Sequence, residues 1–164
     1  MENKPLKRSP HIVELSRDHH TGLLFCWKIR QGLKKATDTA RIKDYVAYFW
    51  SNHLLPHFAE EEEHLFLKVQ DAMCQEALEQ HTSIKSLISQ VTSPEGAPTP
   101  ELLHQLADTV DRHIRFEERE LFPHLEKVID EQELIRIGTA LEASHATPAP
   151  DNFPDEFWAR SQQA

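Results

Sequence analysis

Apolar residues recur at every third or fourth position in four long segments of the chain, and no segment shows the alternation typical of a strand. Each segment opens with a polar or proline-containing signal that favours a helix N-terminus. The four predicted helices run from Ser9-Pro10 to about Lys35, from Thr37-Asp38-Thr39 to near Val69, from near Asp71 towards a loop over 92–98, and from Thr99-Pro100-Glu101 onwards. Four such amphipathic helices predict an all-α, up-down-up-down four-helix bundle.

Two further features modify this bundle. Asp130, with Glu133 three residues later, indicates the N-terminus of a short fifth helix over Leu134–Glu142. Pro56 and Pro123 fall inside the second and fourth predicted helices. Since proline has no N–H and its ring clashes with the carbonyl one turn earlier, we expect both helices to bend there.

The C-terminal part of the chain has a different composition. Residues 146–164 contain several prolines and three large aromatic side chains, Phe153, Phe157 and Trp158. We expect this extended tail to pack its aromatic residues on the bundle or on a protein partner. The chain therefore divides into a helical domain over 9–145 and a tail over 146–164.

The bulk properties of the chain exclude several classes of protein. Its 164 residues, 39% hydrophobic and 27% charged, suit one globular domain with its own core. A net charge of −9 argues against nucleic-acid binding, which needs clustered cations. No apolar run is long enough to span a membrane, and no secretory signal is visible. Cys26 and Cys74 fall in helical patterns without a CxxC motif, so we expect reduced thiols and a cytoplasmic location.

Histidine is unusually frequent, with 11 residues, and it takes part in an internal repeat. The motif His57-x3-Glu61 matches His113-x3-Glu117 with an offset of 56 residues. Two lone histidines, His19 and His81, lie within the apolar stripes of the first and third predicted helices, with an offset of 62 residues. The chain therefore consists of two helical hairpins, related by an approximate two-fold.

The spacing of this repeat favours metal coordination. Residues four apart lie on one face of a helix, so imidazole and carboxylate point at the same space. Taken singly, such residues are more often surface pairs or hydrogen-bonded core histidines. Six of them within the apolar stripes of four helices would be costly to bury without a cation. The predicted metal ligands are His19, His57, Glu61, His81, His113 and Glu117, with His20 as a further candidate. This thiolate-free set suits iron or manganese and exceeds what one zinc ion needs.

The first predicted helix offers two adjacent histidines. His19 lies at the centre of an apolar arc that includes Leu15 and Leu23, one turn away on either side. His20 is rotated by about 100° around the helix. We therefore prefer His19 as the ligand, with His20 beside it or in its place. His53, which precedes His57 by one helical turn, is a further residue that could line the pocket.

Other polar residues near the motifs are less suited to be ligands. Glu62 and Glu118 follow the motif histidines by five residues, which turns them about 140° away. They therefore rank below the glutamates of the two motifs. We expect the remaining histidines to be surface residues: His11, His64, His104, His124 and His145.

The segments SRDHH, PHFAEEEEHLF, EQHTSIKSLI and HIRFEERELFPHLE resemble the hemerythrin-like, HHE cation-binding family, over roughly Pro10 to Ile129. The resemblance implies a hemerythrin-like bundle with two non-haem irons, although manganese or zinc is possible. In the family, the two carboxylates bridge the irons and the histidines occupy terminal positions. An open coordination position then binds O2, NO or another small ligand.

The third predicted helix departs from the oxygen-carrying members of this family. Those have a His-x3-His pair there, but the residues one turn from His81 are Ala77 and Lys85. The resemblance therefore points to the iron-repair, NO-responsive and iron-sensing branches more than to oxygen carriers. His20 or His53 could supply a compensating imidazole.

Two other functions compete with this interpretation. A ferritin-like di-iron carboxylate oxidase would need Glu-x-x-His motifs on two helices, and only Glu61-x2-His64 lies in a core stripe. A metal-free helical interaction module would use the aromatic tail to dock a partner. The sequence shows no nucleophile–base pair, phosphate loop or HExxH motif that would indicate hydrolysis.

Overall fold

The computed structural model describes residues 8–144 and 151–159, and within these ranges it contains helices and no strand. The helices are α1 (Val13–Lys34), α2 (Thr39–Phe49), α3 (Leu55–Glu61), α4 (Ala72–Val91), α5 (Pro100–Phe116), α6 (Phe122–Val128) and α7 (Glu131–Ser144). Three π-helical segments, Trp50–Leu54, Glu62–Phe66 and Glu117–Leu121, adjoin α3 and α6. The prediction of an all-helical fold is confirmed. No helix in the described ranges is both long enough and apolar enough to cross a membrane.

Three of the predicted helix starts are confirmed by their capping hydrogen bonds. The side chains of Asp38, Asp71 and Thr99 accept hydrogen bonds from the backbone N–H groups of the first turns of α2, α4 and α5. The predicted start of the first helix is wrong. Residues 9–12 form a turn, and α1 begins at Val13 after Ile12, which makes no side-chain capping bond.

The two helix prolines lie directly after π-helical segments. Pro56 is the second residue of α3, which follows Trp50–Leu54, and Pro123 is the second residue of α6, which follows Glu117–Leu121. An α-helical backbone would bring each proline ring against the carbonyl one turn earlier. The wider π turn provides the irregularity that the ring requires. The helix irregularities beside the two prolines therefore take the form of π-helical turns.

The apolar core consists of two clusters of buried side chains. One contains Phe25, Phe49, Ile84 and Val110, with residues from α1, α2, α4 and α5. The other contains Leu15, Ala77, Leu121 and Phe122, among others. Along α1, α4 and α5, residues of one cluster are followed by residues of the other, and a buried polar layer lies between them. α1 packs most extensively against α5, which also packs against α4.

The described part of the C-terminal tail, residues 151–159, packs against the first cluster. Phe157 is 5% exposed and contacts the ring of Tyr45. A Cβ at Gly32 would lie 2.7 Å from the Phe157 ring, so only glycine allows this close approach. The Lys28 ammonium donates to the Asp151 carboxylate at 2.8 Å and lies over the Trp158 ring. These contacts attach the segment to the end of the molecule that holds the first cluster.

Candidate metal centre

The polar layer between the two clusters is built from histidine and glutamate. Its buried members are His19, His57, Glu61, His81, His113 and Glu117, each 5% exposed or less. These are six of the seven residues that the sequence motifs single out. The i to i+4 spacing explains why each His-x3-Glu pair enters the layer from one helix face. α1 and α4 each add one histidine to the layer.

The six side chains form two groups that could each hold a metal ion. The first contains His19 and His57, and the second contains His81 and His113, while Glu61 and Glu117 belong to both. In each group, one ligand atom from every residue lies within 4.8 Å of the others. Two adjacent groups that share both carboxylates have the composition of a dinuclear site with bridging carboxylates.

The inward-facing nitrogens of the histidines lie close to the shared carboxylates. His57 Nε2 and His81 Nε2 are each 3.2 Å from Glu61 Oε1. His113 Nε2 and His19 Nε2 are each 3.0 Å from Glu117 Oε1. All four Nε2 atoms therefore point into the same space between the two clusters.

Several of these buried atoms have no hydrogen-bond partner among the described residues. They are His57 Nε2, His81 Nε2, His113 Nε2, both carboxylate oxygens of Glu61 and Glu117 Oε2. A buried polar atom without a partner costs about 1–3 kcal/mol, and charged groups cost more. Six such atoms directed at one another would destabilise the fold. Divalent cations in the layer would satisfy them by accepting their nitrogen and oxygen lone pairs. The residues present therefore fit a metal ion.

Three of the four histidines are also hydrogen-bonded at the outer nitrogen, Nδ1. His19 Nδ1 donates to Glu118 Oε1 at 2.6 Å, and His57 Nδ1 donates to Asp18 Oδ2 at 3.0 Å. His113 Nδ1 lies 2.7 Å from the Gln80 side-chain oxygen. An acceptor at Nδ1 holds the proton there and leaves the Nε2 lone pair free to bind a metal.

The carboxylates also set the proton affinity of the site. Burial by itself lowers the pKa of a histidine, but Glu61 and Asp18 outweigh it and raise the pKa of His57 to about 10. In the same way, Glu61 and Glu62 raise the pKa of His81 to about 9. Burial raises the pKa of Glu61, but the facing histidines hold it well below its usual range. A metal ion that binds here displaces protons from the imidazoles.

The model of the hemerythrin HHE cation-binding domain matches residues 11–125, which cover most of the chain and all six buried residues. The chain belongs to the hemerythrin HHE family. The searches of curated proteins and of solved structures each found no match. Family membership and the buried histidine–glutamate groups together identify a metal-binding protein.

His20, the other candidate on the first helix, does not reach this hemerythrin-type site. Its side chain is exposed, and it belongs to neither group of residues that could hold a metal. The 100° rotation between adjacent helix residues turns it to the solvent side when His19 faces inward. His53 is half-buried beside Phe49 and also lies outside both groups. His64, which the ferritin-like alternative requires, lies outside them as well.

The histidines expected at the surface are half-buried or exposed where they are described. His124 is half-buried and contacts the Asp71 carboxylate, and His11 contacts Glu131. His104 is exposed. The prediction for His145 lies outside the described residues.

The sequence motifs did not single out the residues that hold the outer nitrogens. Glu118 ranked below Glu117 because it points about 140° from the motif histidine, and this direction brings it to His19 on another helix. Asp18 and Gln80 directly precede the lone histidines, so they share the 62-residue offset of the repeat. The sequence signal for these three residues is their position, since each directly adjoins a motif residue and takes part in the same repeat.

A cavity of about 400 Å³ leads to one side of the layer. It is lined by His19, His57 and His113, and further out by Asp18 and Asn52. Gly22 also lines the cavity, and it allows α1 to approach α5 closely, since a Cβ there would lie 2.7 Å from Ile114 Cδ1. A small molecule in this cavity would contact three of the four buried histidines.

Proposed function

We propose that this protein is a non-haem di-iron protein that binds a small ligand such as O2 or NO, or that handles or senses iron. The observation that carries the proposal is the pair of histidine groups that share Glu61 and Glu117, with inward-facing atoms that have no hydrogen-bond partner. Nitrogen and carboxylate ligands without thiolate suit iron, and manganese or zinc are the other candidates.

In this proposal, His19 and His57 would hold one iron, and His81 and His113 would hold the other. Glu61 and Glu117 would be shared between the two ions. His20 has no part in the coordination, because its exposed position leaves it outside both groups. Bound iron would supply one-electron redox chemistry and an affinity for diatomic ligands.

The ligand order supports an up-down-up-down four-helix bundle over 9–145, with 146–164 as a separate tail. In such a bundle, the first, second, third and fourth long helical segments would each face the polar layer. α1 and α4 contribute one histidine each, and the α3 and α5–α6 regions contribute the His-x3-Glu pairs. The buried, unpaired thiols of Cys26 and Cys74 suit the reducing cytoplasm, which is the location we propose.

The small number of imidazoles favours ligand response or iron handling over oxygen transport. Each proposed iron has two histidines and a share of two carboxylates, so coordination positions remain for water or for an external ligand. On α4, Ala77 is buried in the second apolar cluster, and Lys85 is exposed and directed at Glu62. Neither supplies the second imidazole that oxygen carriers of this family have on the corresponding helix.

Iron quantitation combined with an optical spectrum tests this function. Metal-free protein reconstituted with Fe(II) and exposed to air should contain two irons per chain and absorb in the near ultraviolet, as oxo-bridged di-iron(III) centres do. Addition of NO to the Fe(II) protein under anaerobic conditions should change the spectrum. A protein that retains no iron and shows no spectral change would contradict the proposal.

A further inference from the structure

The two halves of the layer hold their histidines from outside with different groups. The repeat relates His19 to His81 and His57 to His113, and it likewise relates Asp18 to Gln80 and Glu118 to Glu62, with offsets of 62 and 56 residues. The inner atoms of the two halves are therefore equivalent in type. The outer partners differ in charge, in distance and in how firmly they are held.

In the first half, both histidines donate to carboxylates. His57 Nδ1 donates to Asp18 at 3.0 Å, and His19 Nδ1 donates to Glu118 at 2.6 Å. Arg8 holds Glu118 in turn, through its carboxylate at 2.9 Å and its backbone carbonyl at 2.8 Å. The Arg8 side chain is only 8% exposed, so solvent screens this interaction little.

In the second half, neither histidine donates to a carboxylate at hydrogen-bond distance. His113 Nδ1 contacts the neutral side-chain oxygen of Gln80 at 2.7 Å. His81 Nδ1 is 3.6 Å from Glu62, which is too long for a hydrogen bond. The cation beside Glu62 is the half-exposed Lys85, at 3.7 Å.

We infer that the two metal positions are unequal, and that Asp18 and Gln80 are the positioning residues that make them so. This inference rests on the proposed dinuclear function. A carboxylate behind a metal-bound imidazole fixes the ring and makes it a better donor, and loss of such a partner costs roughly 10- to 100-fold in metal affinity. The position formed by His19 and His57 therefore binds the first metal ion, and the position formed by His81 and His113 binds the second more weakly.

Calorimetric titration of the metal-free full chain with Mn(II), followed by electron paramagnetic resonance, tests this order. The wild type should bind in two steps that differ roughly 10-fold or more. One equivalent should give the signal of an isolated ion, and two should give that of a coupled pair. Two indistinguishable steps would overturn the inference and leave the proposed function intact. No Mn(II) binding, with no Fe(II) binding, would overturn both.

Two substitutions of nearly equal size assign the steps to the two positions. Asp18→Asn should weaken the first step roughly 10-fold or more, and Gln80→Glu should tighten the second and bring the two steps together. Glu63→Gln, which changes an exposed carboxylate next to Glu62, is the matched control and should change neither step. If Asp18→Asn fails to fold, the test rests on Gln80→Glu. An unchanged second binding step in Gln80→Glu would overturn the inference.

Discussion

The two halves of the metal centre repeat the same inner ligands, but their surroundings differ. The first half, around His19 and His57, has two carboxylates behind its histidines, whereas the second half, around His81 and His113, has one amide oxygen and a more distant carboxylate. The inner atoms are placed by spacing within single helices, and the outer partners come from neighbouring helices. An internal repeat can therefore duplicate a set of metal ligands without giving the two positions the same metal affinity.

The supporting cations show the same contrast. Arg8 lies beneath the Phe122 ring face and reaches Glu118 and Glu126, with little exposure to solvent. Lys85 reaches Glu62 across a half-exposed surface. Burial raises the pKa of Glu118, but its hydrogen bonds to His19 and Ser16 and the nearby Arg8 lower it to about 2. The first half therefore has the more buried and more closely paired supporting charges.

The largest effect should come from a residue that both halves share. Glu61→Ala removes carboxylate oxygens from both metal groups, so the reconstituted protein should lose both ions. Elemental analysis after desalting measures the loss. Glu63→Ala, two residues away on the exposed side, should retain the wild-type metal content. Full metal content in Glu61→Ala would show that neither position depends on the Glu61 carboxylate.

Removal of one histidine from each half compares the halves directly. His57→Ala and His113→Ala should each retain one of two ions, because each histidine belongs to one group only. The ion that remains in His57→Ala should be held roughly 10-fold or more weakly than the one in His113→Ala. Competition with a chelator measures both affinities. Equal affinity for the remaining ion in the two variants would contradict the difference between the halves.

Removal of metal should lower the stability of the fold. A ligand at 100 times its dissociation constant adds about 2.7 kcal/mol to the free energy of unfolding, which corresponds to roughly 5–10 °C in Tm for a chain of this size. Chelator titration followed by thermal melting should show two stages, the first as the weaker half is emptied. A Tm that does not change on complete metal removal would favour the metal-free interaction module.

The two supporting cations should differ in their effect on stability. Arg8→Ala leaves the half-buried Glu118 without its cation and should cost about 1–3 kcal/mol in unfolding free energy. Lys85→Ala removes a half-exposed ion pair and should cost less than about 1 kcal/mol. Urea unfolding of the metal-free variants measures both values. Equal costs would mean that burial of Arg8 adds nothing to its support.

The smallest effect should come from the histidine that the sequence left as a candidate. His20→Ala changes an exposed side chain outside both metal groups, so metal content and Tm should match the wild type. The adjacent His19→Ala should lose one ion and is the matched comparison. Loss of metal in His20→Ala would show that α1 rotates when metal binds.

Much of the site could be predicted because its chemistry is local. The i to i+4 spacing of His57 with Glu61 and of His113 with Glu117 places each pair on one helix face, whatever that helix packs against. Apolar neighbours at helical spacing likewise favour His19 over His20 as the core-facing histidine, and the structure buries His19 and exposes His20. The capping residues Asp38, Asp71 and Thr99 act within a single turn, and the structure confirms them.

The remaining features depend on contacts between distant parts of the chain. Arg8 and Glu118 are 110 residues apart in sequence, and Gln80 and His113 are 33 apart. Which outer partner meets which histidine depends on how far each helix is rotated and shifted against its neighbour. The periodicity of a single helix carries no information about that. The prolines at 56 and 123 indicate an irregular backbone, but they do not indicate that it takes the form of a π-helical turn.

The sequence by itself therefore determined the all-helical class, the family and a set of seven candidate ligands, because hydrophobic periodicity and i to i+4 spacing are properties of one helix. The structure places six of these seven in the buried layer and leaves His20 outside it. Only the tertiary structure decided which groups stand behind each histidine, since those contacts join side chains from different helices. The difference between the two halves of the metal centre was likewise visible only in the tertiary structure. It arises from partners such as Asp18 and Gln80, whose roles appear only when the helices are packed together.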